Sequence, residues 1–121
     1  MERSEIQKII EAERARTRRA RERISLRLTE ARAEAERIAG RLAEVDHELR
    51  KVILFGSVAA GTVRSERFDI DLAVEGGDHL SLMRVAEQSA FSVDLVDLDA
   101  VSERFRRLVE ARGVTVYEAR G

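Results

Sequence analysis

Apolar residues recur along the first fifty positions at helical spacing. Ile24, Leu28, Ala31, Ala35, Ile38, Leu42, Val45 and Leu49 follow an unbroken 4-3-4-3 order. This is a heptad stripe, able to serve a coiled coil or one face packed on a sheet. The stretch has one Gly and no Pro and is dominated by Ala, Arg, Glu and Leu, all good helix formers. Carried towards the N-terminus at the same spacing, the stripe meets Arg21, Thr17 and Arg14 before it reaches Ile10. The pattern predicts one long helix over 1–50, its C-terminal half buried and its N-terminal half projecting or paired with another chain. Such a helix spans about 75 Å at ~1.5 Å per residue, more than the remaining residues can cover. Homo-oligomerisation through it is therefore expected.

From Lys51 the period changes, and 51–121 reads as a separate small domain. Val52, Ile53, Leu54 and Phe55 form a short apolar run ended by Gly56 and Ser57, the pattern of a buried strand. Residues 58–67 are turn-like, with room for one helical turn. A second strand is predicted over 69–74, closed by Gly76 and Gly77. Asp78 is placed to cap a short helix running to about Gln88. A third strand follows over 91–98. Val101, Phe105, Leu108 and Val109 share one face of a later helix that stops at Gly113, and 114–117 forms a last short strand. About four strands with helices against them make an α/β domain.

The chemistry lies in the strands. Side chains alternate faces along a strand, so Asp69 and Asp71 point one way while Ile70 and Leu72 point the other. Two carboxylates side by side on an apolar strand repel each other, so one stays protonated or a cation sits between them. Asp94 lies mid-strand between Val93 and Leu95. If the two strands are neighbours, three carboxylates converge, an oxygen-only set that suits Mg²⁺ or Mn²⁺ rather than zinc. An isolated D-x-D is also common on exposed edge strands as a merely solvated pair. Asp97 and Asp99 compete with Asp94 for the third position. Asp97 should face the opposite side of the sheet from Asp94, and Asp99 reads more simply as a helix N-cap. Gly56 allows close backbone approach, and the amides beyond it can form an anion-binding turn. The Ser57 hydroxyl can add a hydrogen bond to a phosphate. Arg64 and Arg67, in the loop, can reach phosphates or remain solvated.

In combination, L-F-G-S-x-A-x-G-T, then Arg64, then D-I-D-L-A-V and V-D-L-V, over about Lys51 to Glu118, resemble the minimal nucleotidyltransferases of the DNA polymerase beta superfamily. The resemblance implies a polymerase-beta-like fold with a small mixed sheet. It implies that Gly56 and Ser57 bind an NTP triphosphate, with Arg64 a further nucleotide contact. It implies that Asp69 and Asp71 hold Mg²⁺, and that Asp94 completes the metal site and helps to activate the incoming hydroxyl. The reaction implied is transfer of NMP, AMP if ATP is the donor, to a hydroxyl. Such proteins are frequently encoded beside HEPN-domain toxins as their antitoxins, and some adenylylate a toxin tyrosine; the alternative is a fold that neutralises its partner by binding alone. Four departures stand out. Eleven residues separate Ser57 from Asp69, one more than the family pattern carries. Phe68 replaces a small polar residue before the D-x-D, which would bring a phenyl ring up to the site. The segment between the D-x-D strand and Asp94 is shortened, and the first helix is longer than the family requires.

Composition narrows the partners. Charged residues make up 37% of the chain, yet the net charge is only −1, which argues against a globally basic nucleic-acid binder. Locally, Arg14, Arg16, Arg18, Arg19, Arg21, Arg23 and Arg27 face one acid, Glu22. This band can bind nucleic acid, an acidic protein or only water; without interleaved aromatic residues nucleic acid is not expected ahead of an acidic protein or a solvated face. There are no cysteines, hence no disulfide and no Cys-based zinc site, as suits a reducing cytoplasm. No apolar run is long enough to span a bilayer, and 1–11 is too charged for a secretory signal. His47 and His79 are expected at the surface, and Tyr117 in packing at a sheet edge.

Overall fold

The structure, a computed structural model, describes residues 4–120. Helix α1 (Ser4–Val45) leads into strand β1 (Leu49–Phe55) and the one-turn helix α2 (Gly56–Ala60). Strand β2 (Ile70–Gly76), helix α3 (His79–Ala86), strand β3 (Val93–Asp97), helix α4 (Glu103–Arg112) and strand β4 (Val114–Glu118) follow. The sheet runs β3-β2-β1-β4. β1 is antiparallel to both its neighbours, and β2 and β3 are parallel. This is the small mixed sheet with flanking helices and a long N-terminal helix expected from the sequence.

Alternation along the strands builds two cores. Val52 and Leu54 of β1 and Ile70, Leu72 and Val74 of β2 face α1, whose Ala31, Ala35, Ile38, Ala39 and Leu42 are buried against them. Three alanines in that stripe remove side-chain bulk and let the helix backbone approach the sheet. On the opposite face Ile53 and Ala73 pack under α4 through Leu98 and Val109, with Phe55, Val101 and Phe105 at the margin. Gly113 makes this second layer possible. A Cβ there would lie 2.7 Å from Val109 O and 3.0 Å from Leu54 O, so only glycine lets the chain turn so close to β1. Tyr117 pairs with Val52 on the edge strand β4 and packs on the first core.

The apolar stripe runs on to Leu49, but the helix ends at Val45, which is exposed, and Leu49 is buried in β1. Asp46 is the cause. Its carboxylate accepts the amide of Glu48 at 2.9 Å and that of Asp78 at 2.7 Å, an Asx-type turn that competes with further helix. Asp78 caps α3, accepting the Ser81 amide and hydroxyl. Asp99 does not cap α4; Ser102 does, through the Phe105 amide at 3.1 Å. Asp99 instead accepts the Gly76 amide at 3.0 Å and faces Arg50 and Arg106, because the turn after β3 brings it back across the end of β2. His79, expected at the surface, is half-buried at the head of α3, its Nδ1 enclosed without a hydrogen-bond partner. No helix among the described residues is long and apolar enough to cross a membrane.

Candidate active site

The carboxylates are placed by strand register. Asp71 lies opposite Asp94 across the parallel pair β2–β3, and opposite Phe55 across the antiparallel pair β1–β2. Partners in register share a face, so Asp71 and Asp94 project from the α4 side of the sheet. Asp69 stands two residues before Asp71, just ahead of β2 and exposed. Asp97 is in register with Val74; three residues from Asp94, it belongs to the other face, and its carboxylate accepts the Asp99 amide.

The three charges are felt at one atom group. Burial, reinforced by the charges of Asp94 and Asp69, pushes the Asp71 carboxyl above its ordinary range. This is the behaviour of anions brought together without a counter-charge. The side chains do not form a ready-made cage: among the described residues no group of three or more His, Cys, Asp or Glu side chains is gathered to hold a metal ion. An oxygen-only set that penalises its own charge fits a hard divalent cation such as Mg²⁺.

Gly56 and Ser57 sit at the end of β1, beside Asp71. Gly56 has φ +73°, and a Cβ there would collide with Asp71 Oδ2 and lie 3.1 Å from its Cγ. The glycine is thus required both by its left-handed backbone and by the carboxylate packed over its Cα. It opens α2, whose N-cap residue Phe55 supplies no side-chain acceptor to the first turn, leaving amides there for an external oxygen. Thr62 and Gly61 donate back to Ser57 O at 3.0 and 2.8 Å, closing the turn.

Arg64 lines a cleft of about 450 Å³ between the α2–β2 loop and Arg21, Ile24, Ser25 and Leu28 of α1. Phe68 does not crowd the carboxylates. It packs on the first core and against Phe91, with ring centroids 6.5 Å apart, and Arg27 stacks 3.8 Å above Phe91. Phe68 lies just ahead of β2 and packs on the side of Ile70 and Leu72, while Asp71 takes the other face.

One element of the site was missed by sequence reasoning. A cleft of about 280 Å³ opens next to Gly56, lined by Phe55, Ala60, Phe105, Leu108, Val109 and Arg112. Phe55 and Phe105 meet edge to face at 6.0 Å and 89°. The signal was present in Phe105, Leu108 and Arg112, which recur at helical spacing, but their meeting with Phe55 depends on how α4 crosses β1.

No curated protein matches the chain. Among solved structures, a chain of a toxin-antitoxin with AMP-PNP is 28% identical, with TM-score 0.58 over 70% of this chain and 74% of that one. A mutant of the toxin-antitoxin MntA-HpeT is 30% identical, TM-score 0.52, over 66% and 69%. A tri-AMPylated Shewanella oneidensis HEPN toxin in complex with MNT antitoxin gives 25% identity and TM-score 0.53 over 72% of each chain. The family described as Polymerase beta, Nucleotidyltransferase matches residues 36–120, taking in the whole sheet and all the aspartates above, and the chain belongs to that nucleotidyltransferase family.

Proposed function

We infer that this chain is a Mg²⁺-dependent adenylyltransferase that moves AMP from ATP to a hydroxyl of a protein partner, a HEPN-type toxin, and so acts as its antitoxin. The observation that carries the reading is the register of Asp71 with Asp94, set against Gly56 and Ser57 at the end of the adjoining strand. The likeness to toxin-antitoxin structures, one with AMP-PNP and one with an AMPylated toxin, supports the donor and the acceptor. A cytoplasmic location accords with an ATP donor.

The chain's own residues divide the work. The amides opening α2 and the Ser57 hydroxyl donate hydrogen bonds to phosphate oxygens, which can come close because Gly56 has no side chain. Phe55 and Phe105 form an apolar wall beside the turn, a seat for the nucleobase, with Arg112 at its rim. Asp69, Asp71 and Asp94 would hold Mg²⁺, which supplies charge neutralisation of the triphosphate and a lowered pKa at the acceptor hydroxyl. The acceptor oxygen attacks the α-phosphorus, the bond to pyrophosphate breaks, and Asp94 takes the hydroxyl proton. An acceptor hydroxyl carried on a protein partner would be positioned by that partner's own interface.

The test is to combine the full chain with the product of its neighbouring gene, Mg²⁺ and ATP, and to read intact mass. Addition of one or more AMP units to the partner, lost in Asp71→Asn, is the expected result. A tight complex without a mass change would replace the reading with an antitoxin that acts by binding, the alternative favoured by the extra loop residue before Asp69. No complex would remove the pairing.

A further inference from the structure

The arginines of the outer half of α1 divide between two flanks of its apolar stripe. Steps of four and three residues place Arg14, Arg18 and Arg21 on one flank, and Arg16, Arg23 and Arg27 on the other. The second set is engaged within the chain. Arg16 pairs with Glu13, Arg23 donates to Glu66 at 3.2 Å, and Arg27 stacks 3.8 Å above Phe91. The first set is exposed and makes no hydrogen bond or ion pair among the described residues. It lines a shallow groove of about 630 Å³ whose acids are Glu13, already paired, and Glu22. Arg21 and Ser25 also line the cleft that ends at Val63 and Arg64. The two therefore meet, and a basic channel leads from the projecting helix to the loop between Ser57 and Asp69.

We propose that this flank of α1 is the docking surface for an amphipathic acidic helix of a partner protein, one that carries Asp or Glu beside an apolar stripe. The charge of the partner follows from the charge of the segment. Over 4–27, Lys8 and seven arginines stand against Glu5, Glu11, Glu13 and Glu22. A second copy brought alongside would set arginines against arginines, whereas a row of carboxylates finds Arg14, Arg18 and Arg21 unpaired at one-turn intervals.

The class of partner follows from the apolar surface beside those arginines. Ile10 stands one turn before Arg14, and Ile24 one turn after Arg21. Ile6 and Ile10 are 71% and 41% exposed. A sugar-phosphate chain has nothing with which to cover isoleucine, and Glu22 in the groove repels it. A helix with both apolar and acidic positions covers the isoleucines and the arginines together. The surface is also separate from the catalytic machinery, since the match to the nucleotidyltransferase family begins only at residue 36. A helix seated along it would reach Val63 and Arg64 and so lie against the active-site loop.

The test is fluorescence anisotropy of the full chain with labelled probes, in the absence of ATP and Mg²⁺, so that the outcome is independent of the transferase reading. The first probe is a synthetic helix with leucine along one face and glutamate on both flanks, whose like charges oppose self-pairing. The second is the same helix with lysine for glutamate, and the third is an RNA hairpin. The glutamate helix should bind, more weakly as salt is raised, and the lysine helix should not. Arg14→Gln, Arg18→Gln and Arg21→Gln together should weaken binding roughly tenfold, the yield of three exposed ion pairs. They should leave the melting temperature unchanged, since none of the three is bonded to the domain. Ile6→Ser with Ile10→Ser should weaken binding as well. No binding of the glutamate helix, equal binding of the lysine helix, tighter binding of the RNA hairpin, or an affinity untouched by either set of substitutions would each overturn the proposal.

Discussion

Replacing Gly56 with alanine tests the placement of the site through stability alone. Two penalties arise at this position. The backbone sits at φ +73°, where an L-residue costs roughly 1–2 kcal/mol. The new Cβ also drives into the Asp71 carboxylate, and overpacking of this kind costs roughly 1–3 kcal/mol. The expected loss is about 2–5 kcal/mol, or a fall in Tm of roughly 8–20 °C at ~4 °C per kcal/mol. Gly61 is the control. It has nearly the same φ, +74°, but its Cβ would meet only the flexible end of Arg32, at 3.3 Å. Gly61→Ala should therefore show the backbone penalty and little else. In an Asp71→Ala background the collision is relieved, because only the residue 71 Cβ remains, 3.3 Å away. A double-mutant cycle by thermal melts should then return a coupling of roughly 1–3 kcal/mol. Equal losses for Gly56→Ala and Gly61→Ala, or a Gly56→Ala loss undiminished by Asp71→Ala, would refute the contact between the glycine turn and the carboxylate.

Asp71→Asn should abolish Mg²⁺-dependent ATP binding in calorimetry yet raise Tm, because it removes one of three clustered like charges; unchanged binding would sink the metal site. Ser57→Ala should weaken ATP binding by about 0.5–1.5 kcal/mol, or up to ~3 for a charged phosphate acceptor, and leave Tm alone. Arg106 donates to Leu98 O at 3.1 Å and pairs with Glu75, Asp99 and Glu110. Arg106→Ala should lower the denaturant midpoint more than Arg16→Ala, whose ion pair with Glu13 is fully at the surface; equal effects would contradict a structural role for the Arg106 cluster. Hydrogen bonds from Arg37, and then Ser89, hold the Glu34 carboxyl below its ordinary range against the opposing effect of burial. A lowered acid stabilises the fold above its unfolded value of about 4.3 and loses that contribution as pH falls through the folded one. The Tm gap between wild type and Glu34→Gln should therefore close in acid; a gap independent of pH would contradict the assignment.

Local order was legible because its causes are local. The 4-3 spacing gave α1, the run Val52–Phe55 gave β1, and alternation put Asp71 on one face and Ile70 and Leu72 on the other. Asp78 and Gly113 acted where short-range chemistry placed them. Other features were decided by contacts between residues far apart in the chain. Val45 ends the helix because Asp46 finds the amides of Glu48 and, across the fold, Asp78. Asp99 leaves its expected cap because Gly76 and two arginines compete for it. Phe68 turns from the site because Phe91 and the first core offer it burial. Strand order, above all, is not written in any one strand. A period of two tells which face Asp71 and Asp94 each occupy, but their meeting needs β2 and β3 to be parallel neighbours in one register. That pairing is fixed by how α3 and α1 cover one face of the sheet and α4 the other, and by the hydrogen bonds between the strands themselves.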